Sequence, residues 1–336
     1  MNNINNRIVK KNNKIPLVLS LSKDSSTLIQ TDVPLKDKNW FGTGGTARFY
    51  SEPTNETELQ QATNFANANS LEIFVLGQGA NILISDDGFD GLVICPKLNR
   101  ISIISKDDDY SLVQAQAGVS FQSLINFCLE NRLLGLEEFS GIPGTVGGAV
   151  YINIHYFEFL LSQFLEGATV IERNSGNILP VNNEWFDFGY NRSTLHSKKH
   201  YLVDAIFKVK NCSDIQAAYA KGRSDETIRH RLRRYPNLGT CGSFFRNFYE
   251  DEVTLEVQNK KIIFVAYYLD KLGIKGELQV GDAKVSYQHA NMIVNLGNAT
   301  SDDIFNLAKK IQELVKSKFG ITPQPECQLV GFKDSL

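Results

Sequence analysis

The chain has 336 residues, 42% hydrophobic and 21% charged, which suits a folded protein of two or three packed subdomains. A formal net charge of -2 excludes a general electrostatic pull toward nucleic acid or anionic membranes. Its five cysteines (Cys95, Cys128, Cys212, Cys241, Cys327) show no C-x-x-C spacing, so reduced, mostly buried thiols in a cytoplasmic protein are expected, not a metal site.

Met1 to Lys14 is rich in Asn and Lys and no apolar run suited to a secretory signal follows, so residues 1–30 read as a weakly ordered arm. Ala47 to Tyr50 reads as a strand. Asn55 then looks like an N-cap, with Glu58 three residues on and Leu59, Ala62, Phe65 and Ala66 on one helical face. Ile73–Leu76, Leu92–Cys95, Ile101–Ile104 and Leu112–Ala117 are further strands, and a helix is expected over Phe121–Asn131. Residues 154–161 are bulky and read as helix. Glu166–Arg173 and Tyr201–Lys210 are strand-like, and Ile215–Arg234 is a long charged helix. Beyond it come a helix near Ile262–Leu272, a strand at Asn291–Asn295, a helix from Ser301 ended by Gly320, and a last strand at Cys327–Phe332. The change of texture near residue 215 sets the expected domain boundary, and the class is α+β.

Three glycine-rich segments stand out: Gly42-Thr43-Gly44-Gly45, Gly77-Gln78-Gly79-Ala80-Asn81 and Gly141-Ile142-Pro143-Gly144-Thr145-Val146-Gly147-Gly148. Glycine admits close backbone approach, and successive N–H groups in such turns form nests for phosphate oxygens. The second segment is not a Rossmann fingerprint, because Ile82 stands where the third glycine would be. Any one loop alone is a tight turn; three together point to a nucleotide-type ligand, with FAD, NAD and ATP undistinguished.

These segments, with Gly242-Ser243-Phe244-Phe245-Arg246-Asn247, His289–Asn295, Asn298–Thr300 and Pro325-Glu326-Cys327, resemble successive blocks of the UDP-N-acetylenolpyruvoylglucosamine reductase family. The resemblance implies a vanillyl-alcohol-oxidase-type FAD-binding domain (31–214, with subdomains near 31–97 and 98–214) and a smaller substrate domain (215–336). It implies that NADPH reduces FAD, which reduces UDP-N-acetylglucosamine enolpyruvate to UDP-N-acetylmuramate in peptidoglycan precursor synthesis. The stretch from Ser193 to Cys241 looks too short for the substrate-covering insertion of one branch, so the chain resembles the shorter-loop branch.

By the same resemblance Ser243 is the proton donor and Glu326 the catalytic glutamate. Gly77, Gln78, Gly79, Ala80, Asn81, Gly141, Pro143, Gly144, Thr145, Gly147, Gly148 and Asn153 would hold the flavin nucleotide, and Arg234, Asn247, Arg246 and His289 the substrate. The family's arginine block reads aromatic-x-Tyr-Arg-x-Ser. Here Phe188-Gly189-Tyr190-Asn191-Arg192-Ser193 puts Asn191 in the arginine's place and Arg192 one residue late. On a strand that shift turns a side chain to the other face, so either a bulge recruits Arg192 as the catalytic arginine or the site has lost a guanidinium. The basic run Arg229, Arg231, Arg233, Arg234 reads as a solvated helix face with one or two substrate-facing arginines, not a nucleic-acid patch. No metal is expected, and the absence of heptads favours a monomer. The competing readings are a flavin oxidoreductase of the same fold with another substrate, and a non-catalytic flavin or sugar-nucleotide binder.

Overall fold

A computed structural model of the chain describes residues 28–336. Nearly all of the expected arm lies outside the described residues, and Gln30 already begins a strand. The first sheet has the order Gln30–Pro34, Thr46–Ser51, Phe89–Ile94, Ile73–Val75. Its first pair is antiparallel and the other two are parallel. Helix α1 (Glu56–Ala68) starts where expected. The Asn55 side chain accepts the Glu58 N–H at 2.9 Å, and the Glu58 carboxylate turns back to the Thr54 N–H at 2.7 Å. Its buried Leu59, Ala62 and Ala66 face the sheet residues Phe49, Ile73 and Leu92; a fully buried leucine contributes about 1.5–3 kcal/mol.

The second unit is an antiparallel sheet ordered Ile178–Asn182, Leu165–Glu172, His200–Asn211, Tyr110–Gln116, Ile101–Lys106. Helices α2 (Phe121–Glu130) and α3 (Val146–Ile152) supply Phe121, Leu124, Ile125, Val146 and Val150 to its core. Helix α4 (Asp214–Arg234) also belongs here. Ala220 enters the same core, the Ser140 and Ser224 hydroxyls meet at 2.7 Å, and Arg231 Nε donates to the Gly141 carbonyl at 3.2 Å. The packing therefore divides the chain near Tyr235, one helix later than the boundary expected at 215. Composition marked where the charged helix begins but not which unit its small face joins.

The C-terminal unit gathers α5 (Val265–Leu272), α6 (Ser301–Phe319) and the sheet Gln279–Val280, Ala283–Val285, Ile293–Asn295 around one core. Thr300 caps α6 and Gly320 ends it at φ +75°. The last strand, Gln328–Val330, leaves this unit and pairs in parallel with Ile82–Ile84 of the first. That crossing positions the site, because it ties the C-terminal Glu326 to the glycine loop that ends at Asn81.

Residues 154–161 are not the expected helix. Asn153 ends α3 in the left-handed conformation, with its side chain accepting the Ser162 N–H at 3.0 Å and donating to the Gly189 carbonyl at 3.2 Å. The Leu161 N–H donates to the Ile154 carbonyl at 2.9 Å, so the segment is pinched at both ends. What lies between is a hairpin, His155–Tyr156 against Phe159–Leu160, with Phe157 at its tip (φ +51°) and 79% exposed.

Candidate active site

A cavity of about 1110 Å³ opens where the three units meet. Small-ligand pockets commonly span roughly 300–1,000 Å³, so this one has room for a dinucleotide and part of a second ligand. One wall is made by the second and third glycine segments. Gln78 Oε1 accepts the Gly144 N–H at 3.0 Å, and Gly77 lies so close to Thr145 that a Cβ there would come within 2.8 Å of its hydroxyl. Gly79, at φ +67°, is forced: a Cβ would lie 2.4 Å from the Lys38 carbonyl oxygen. None of the backbone N–H groups from Gly77 to Ala80 donates to a protein acceptor among the described residues. A Cβ at Gly144 (φ +143°) would meet nothing within 4 Å, so this backbone faces open cavity. A run of free N–H groups beside a bare glycine backbone fits a pyrophosphate, the part of FAD that this wall would have to hold. The first glycine segment does not line the cavity. The Gly44 N–H is bound by Asp86 Oδ1 at 2.9 Å, and that of Gly45 by the Ser85 carbonyl at 2.9 Å.

The opposite wall carries the ionisable side chains. Ser243 follows Gly242 (φ +78°) on a loop held from below by Asn291. The Asn291 carbonyl accepts the Phe244 N–H at 2.8 Å, its Oδ1 accepts the Phe245 N–H at 3.1 Å, and its Nδ2 donates to the Phe245 carbonyl at 2.7 Å. The Phe244 carbonyl in turn accepts the Glu326 N–H at 2.8 Å, and Asn81 Nδ2 donates to the Glu326 carbonyl at 3.3 Å. Ser243, Glu326 and the glycine loop are thus fastened to one another through backbone. Burial pushes the Glu326 carboxyl up to about 7, against the opposing pull of the Asn191 amide. Tyr190, its ring 4.8 Å from His155 and 5.9 Å from Tyr249, is raised to about 12 by burial and by the Glu326 carboxyl.

Residues 47–182 match the family model described as an FAD binding domain, and residues 234–330 match the one described as the C-terminal domain of UDP-N-acetylenolpyruvoylglucosamine reductase. The reductase of that name from Synechococcus sp. (strain RCC307) is 33% identical over 319 residues, covering 95% of this chain and 96% of that protein. The one from Clostridium tetani (strain Massachusetts / E88) is 32% identical over 306 residues, covering 90% and 92%. This chain belongs to the UDP-N-acetylenolpyruvoylglucosamine reductase family. The crystal structure of the Thermus caldophilus reductase superimposes with a TM-score of 0.72 at 25% identity, covering 90% of this chain and all of that one.

Against that family pattern the arginines are rearranged. Gly189 and Arg192 close a two-residue turn, with N–H···O distances of 3.0 and 3.3 Å, and Asn191 sits in it at φ +52°. The segment is a turn and not a strand, and both Asn191 and Arg192 line the cavity. The Arg192 guanidinium lies 3.2 Å from Asp187, with the side chain 60% exposed, and Asn191 faces Glu326. Arg246 lines the cavity but is chelated by Glu252 at 2.7 and 2.7 Å and stacked 4.3 Å over Tyr249. Asn247 lines the cavity; its Oδ1 accepts the Val265 N–H at 3.3 Å.

Four expected residues do not line it. Gly141 instead supplies the carbonyl that holds Arg231, and Asn153 braces the hairpin and the Gly189 turn. Arg234 is exposed on α4, and His289 accepts the Asn291 N–H at 3.2 Å. The cavity arginine of α4 is Arg231, one helical turn earlier. It lies between the rings of Tyr156 and Tyr235 at 5.3 and 5.2 Å and has no carboxylate partner among the described residues. Neither Arg231 nor the loop-holding Asn291 was singled out by sequence. Arg231 sat unmarked in a run of four arginines, and Asn291 lay inside a recognised block without a role.

Proposed function

We propose that the chain reduces the enolpyruvyl double bond of UDP-N-acetylglucosamine enolpyruvate to give UDP-N-acetylmuramate, with NADPH as the source of electrons. One observation carries the reading: Ser243 and Glu326 share a single cavity with the free N–H groups of the Gly77–Ala80 loop. The Gly77–Ala80 loop and Gly144 would hold FAD, which would supply the hydride needed at the terminal carbon of the enolpyruvyl group. Negative charge then builds on the neighbouring carbon and its carboxylate, and a proton must arrive at that carbon. The Ser243 hydroxyl gives this proton. Its loop is held rigid by Asn291, which limits the reorganisation needed as the hydroxyl becomes an alkoxide. Arg231, which has no carboxylate partner among the described residues, takes the diphosphate of the sugar nucleotide, and Asn247 takes a polar group of the substrate beside it. The active unit is a monomer working in the cytoplasm, in keeping with its five free thiols.

The test is anaerobic. NADPH bleaches the oxidised flavin band of the purified protein, and UDP-N-acetylglucosamine enolpyruvate restores it. Ser243→Ala lowers the rate of that restoration by about 10²–10⁴-fold while flavin content is unchanged. Bleaching without restoration in the unaltered protein moves the reading to a flavin oxidoreductase with a different acceptor.

A further inference from the structure

Three side chains that line the cavity, Asn191, His200 and Tyr201, hold a shielded polar atom with no hydrogen-bond partner among the described residues, and Asn191 has two such atoms, Oδ1 and Nδ2. Stranding buried polar atoms is costly, so such groups call for an explanation. Turn geometry does not provide one. The left-handed conformation at φ +52° suits glycine better than asparagine, and glycine would strand nothing. Nor is the amide misplaced by a loose backbone. The Gly189–Arg192 pairing closes the turn, and next to it the Ser193 hydroxyl donates to the Tyr151 carbonyl at 2.7 Å.

The amide faces the Glu326 carboxyl, near enough to oppose the rise in its pKa, yet the two do not meet in hydrogen-bond geometry. The other groups around that carboxyl are neutral or already paired. Tyr190 and the thiol of Cys327 are held neutral by burial, and Arg246 is committed to Glu252. Arg192 is committed to Asp187. With both arginines engaged, the neutral donors beside Glu326 are the Tyr190 hydroxyl and the Asn191 amide, and the amide is the one with no partner of its own. Hydrogen bonds to a catalytic group are commonly long before substrate arrives and tighten with it.

We propose that Asn191 is a positioning residue that acts on the reaction through Glu326: Nδ2 donates to the Glu326 carboxyl and aims it at the enolpyruvyl group, while Oδ1 accepts an N–H or O–H of the sugar nucleotide. The role of the substrate rests on the function proposed above; the coupling of the two side chains does not. A guanidinium would drive Glu326 to its ionised form, whereas a carboxylate would repel it; the amide orients the group and leaves it free to exchange a proton near neutrality.

The experiment compares FAD-loaded wild type with Asn191→Gly, which keeps the left-handed turn without strain, and Asn191→Asp, which keeps the shape. Flavin content and melting temperature report folding. The Glu326 carboxyl band, isolated by infrared difference against Glu326→Gln, is followed from pH 5 to pH 9. The rate of flavin re-oxidation by UDP-N-acetylglucosamine enolpyruvate is followed over the same range. The Glu326 midpoint is expected to rise by about one pH unit in N191G, which loses a donor, and by about two in N191D, which gains a like charge. The re-oxidation profile moves with it, and at its optimum N191G is about 10-fold slower. Folded variants whose infrared midpoints stay at the wild-type value overturn the proposal. A shifted midpoint in a protein whose flavin the substrate never re-oxidises upholds the coupling and overturns the reductase reading instead.

Discussion

The two walls of the cavity are built from different materials. The glycine wall is backbone. Its ligand groups are N–H bonds, and its shape follows from where a Cβ cannot go, as at Gly79 against Lys38 and at Gly77 against Thr145. The facing wall is side chain. Its working groups are a hydroxyl, a carboxyl and an amide, set by loops fastened from three units of the chain. A backbone wall tolerates little change in the residues that shape it. A side-chain wall can exchange one group for another, as the turn at Asn191 and Arg192 shows.

The sharpest test of that contrast is Gly79→Ala. A single methyl here meets the Lys38 carbonyl and the Asn39 Cα while the backbone stays at a positive φ. Strain and overpacking together are expected to cost about 3–4 kcal/mol in denaturant unfolding, and the protein should purify without its yellow colour. Full flavin content in this variant would mean that the wall adapts and that the contrast is false.

On the opposite wall Asn291→Ala is expected to cost about 2–3 kcal/mol, because it strands the Phe245 N–H and carbonyl in the interior. Here the colour should remain and the re-oxidation rate should fall, since the residue holds the Ser243 loop and not the nucleotide. Equal losses of colour in this variant and in Gly79→Ala would merge the two walls into one cooperative unit.

This division also explains what was legible in the sequence. The glycine loops could be read because steric requirements leave few substitutes at such positions, and helices α1 and α6 could be read from the Asn55 cap and from the Gly320 stop. The hairpin at 154–161 could not. Its residues are apolar enough for a helix, and only the capping of α3 by Asn153 and the pinch at Leu161 decide otherwise. Arg231 and Arg234 sit one turn apart on α4, and which of them lines the cavity depends on the seating of Ala220 and Ser224 against the second unit. The choice between Asn191 and Arg192 rests on a turn where strand spacing had been assumed.

The smallest effect concerns the stability that the side-chain wall gives up for its chemistry. Glu326 titrates near 7 in the folded protein, above its ordinary 4.5, because burial disfavours its charged form. Between those two values the folded state holds a proton that the unfolded chain has released, so stability falls as pH rises through this window and levels off above 7. Glu326→Gln is uncharged throughout and escapes the loss. The variant should match wild type at pH 4 and exceed it at pH 8 by about 1–2 kcal/mol, reduced from the full linkage value because the cavity admits water. Denaturant midpoints at the two pH values decide it. If the two proteins lose stability in parallel from pH 4 to pH 8, the carboxyl is not held out of water, and the wall would then owe its acidity to substrate binding alone.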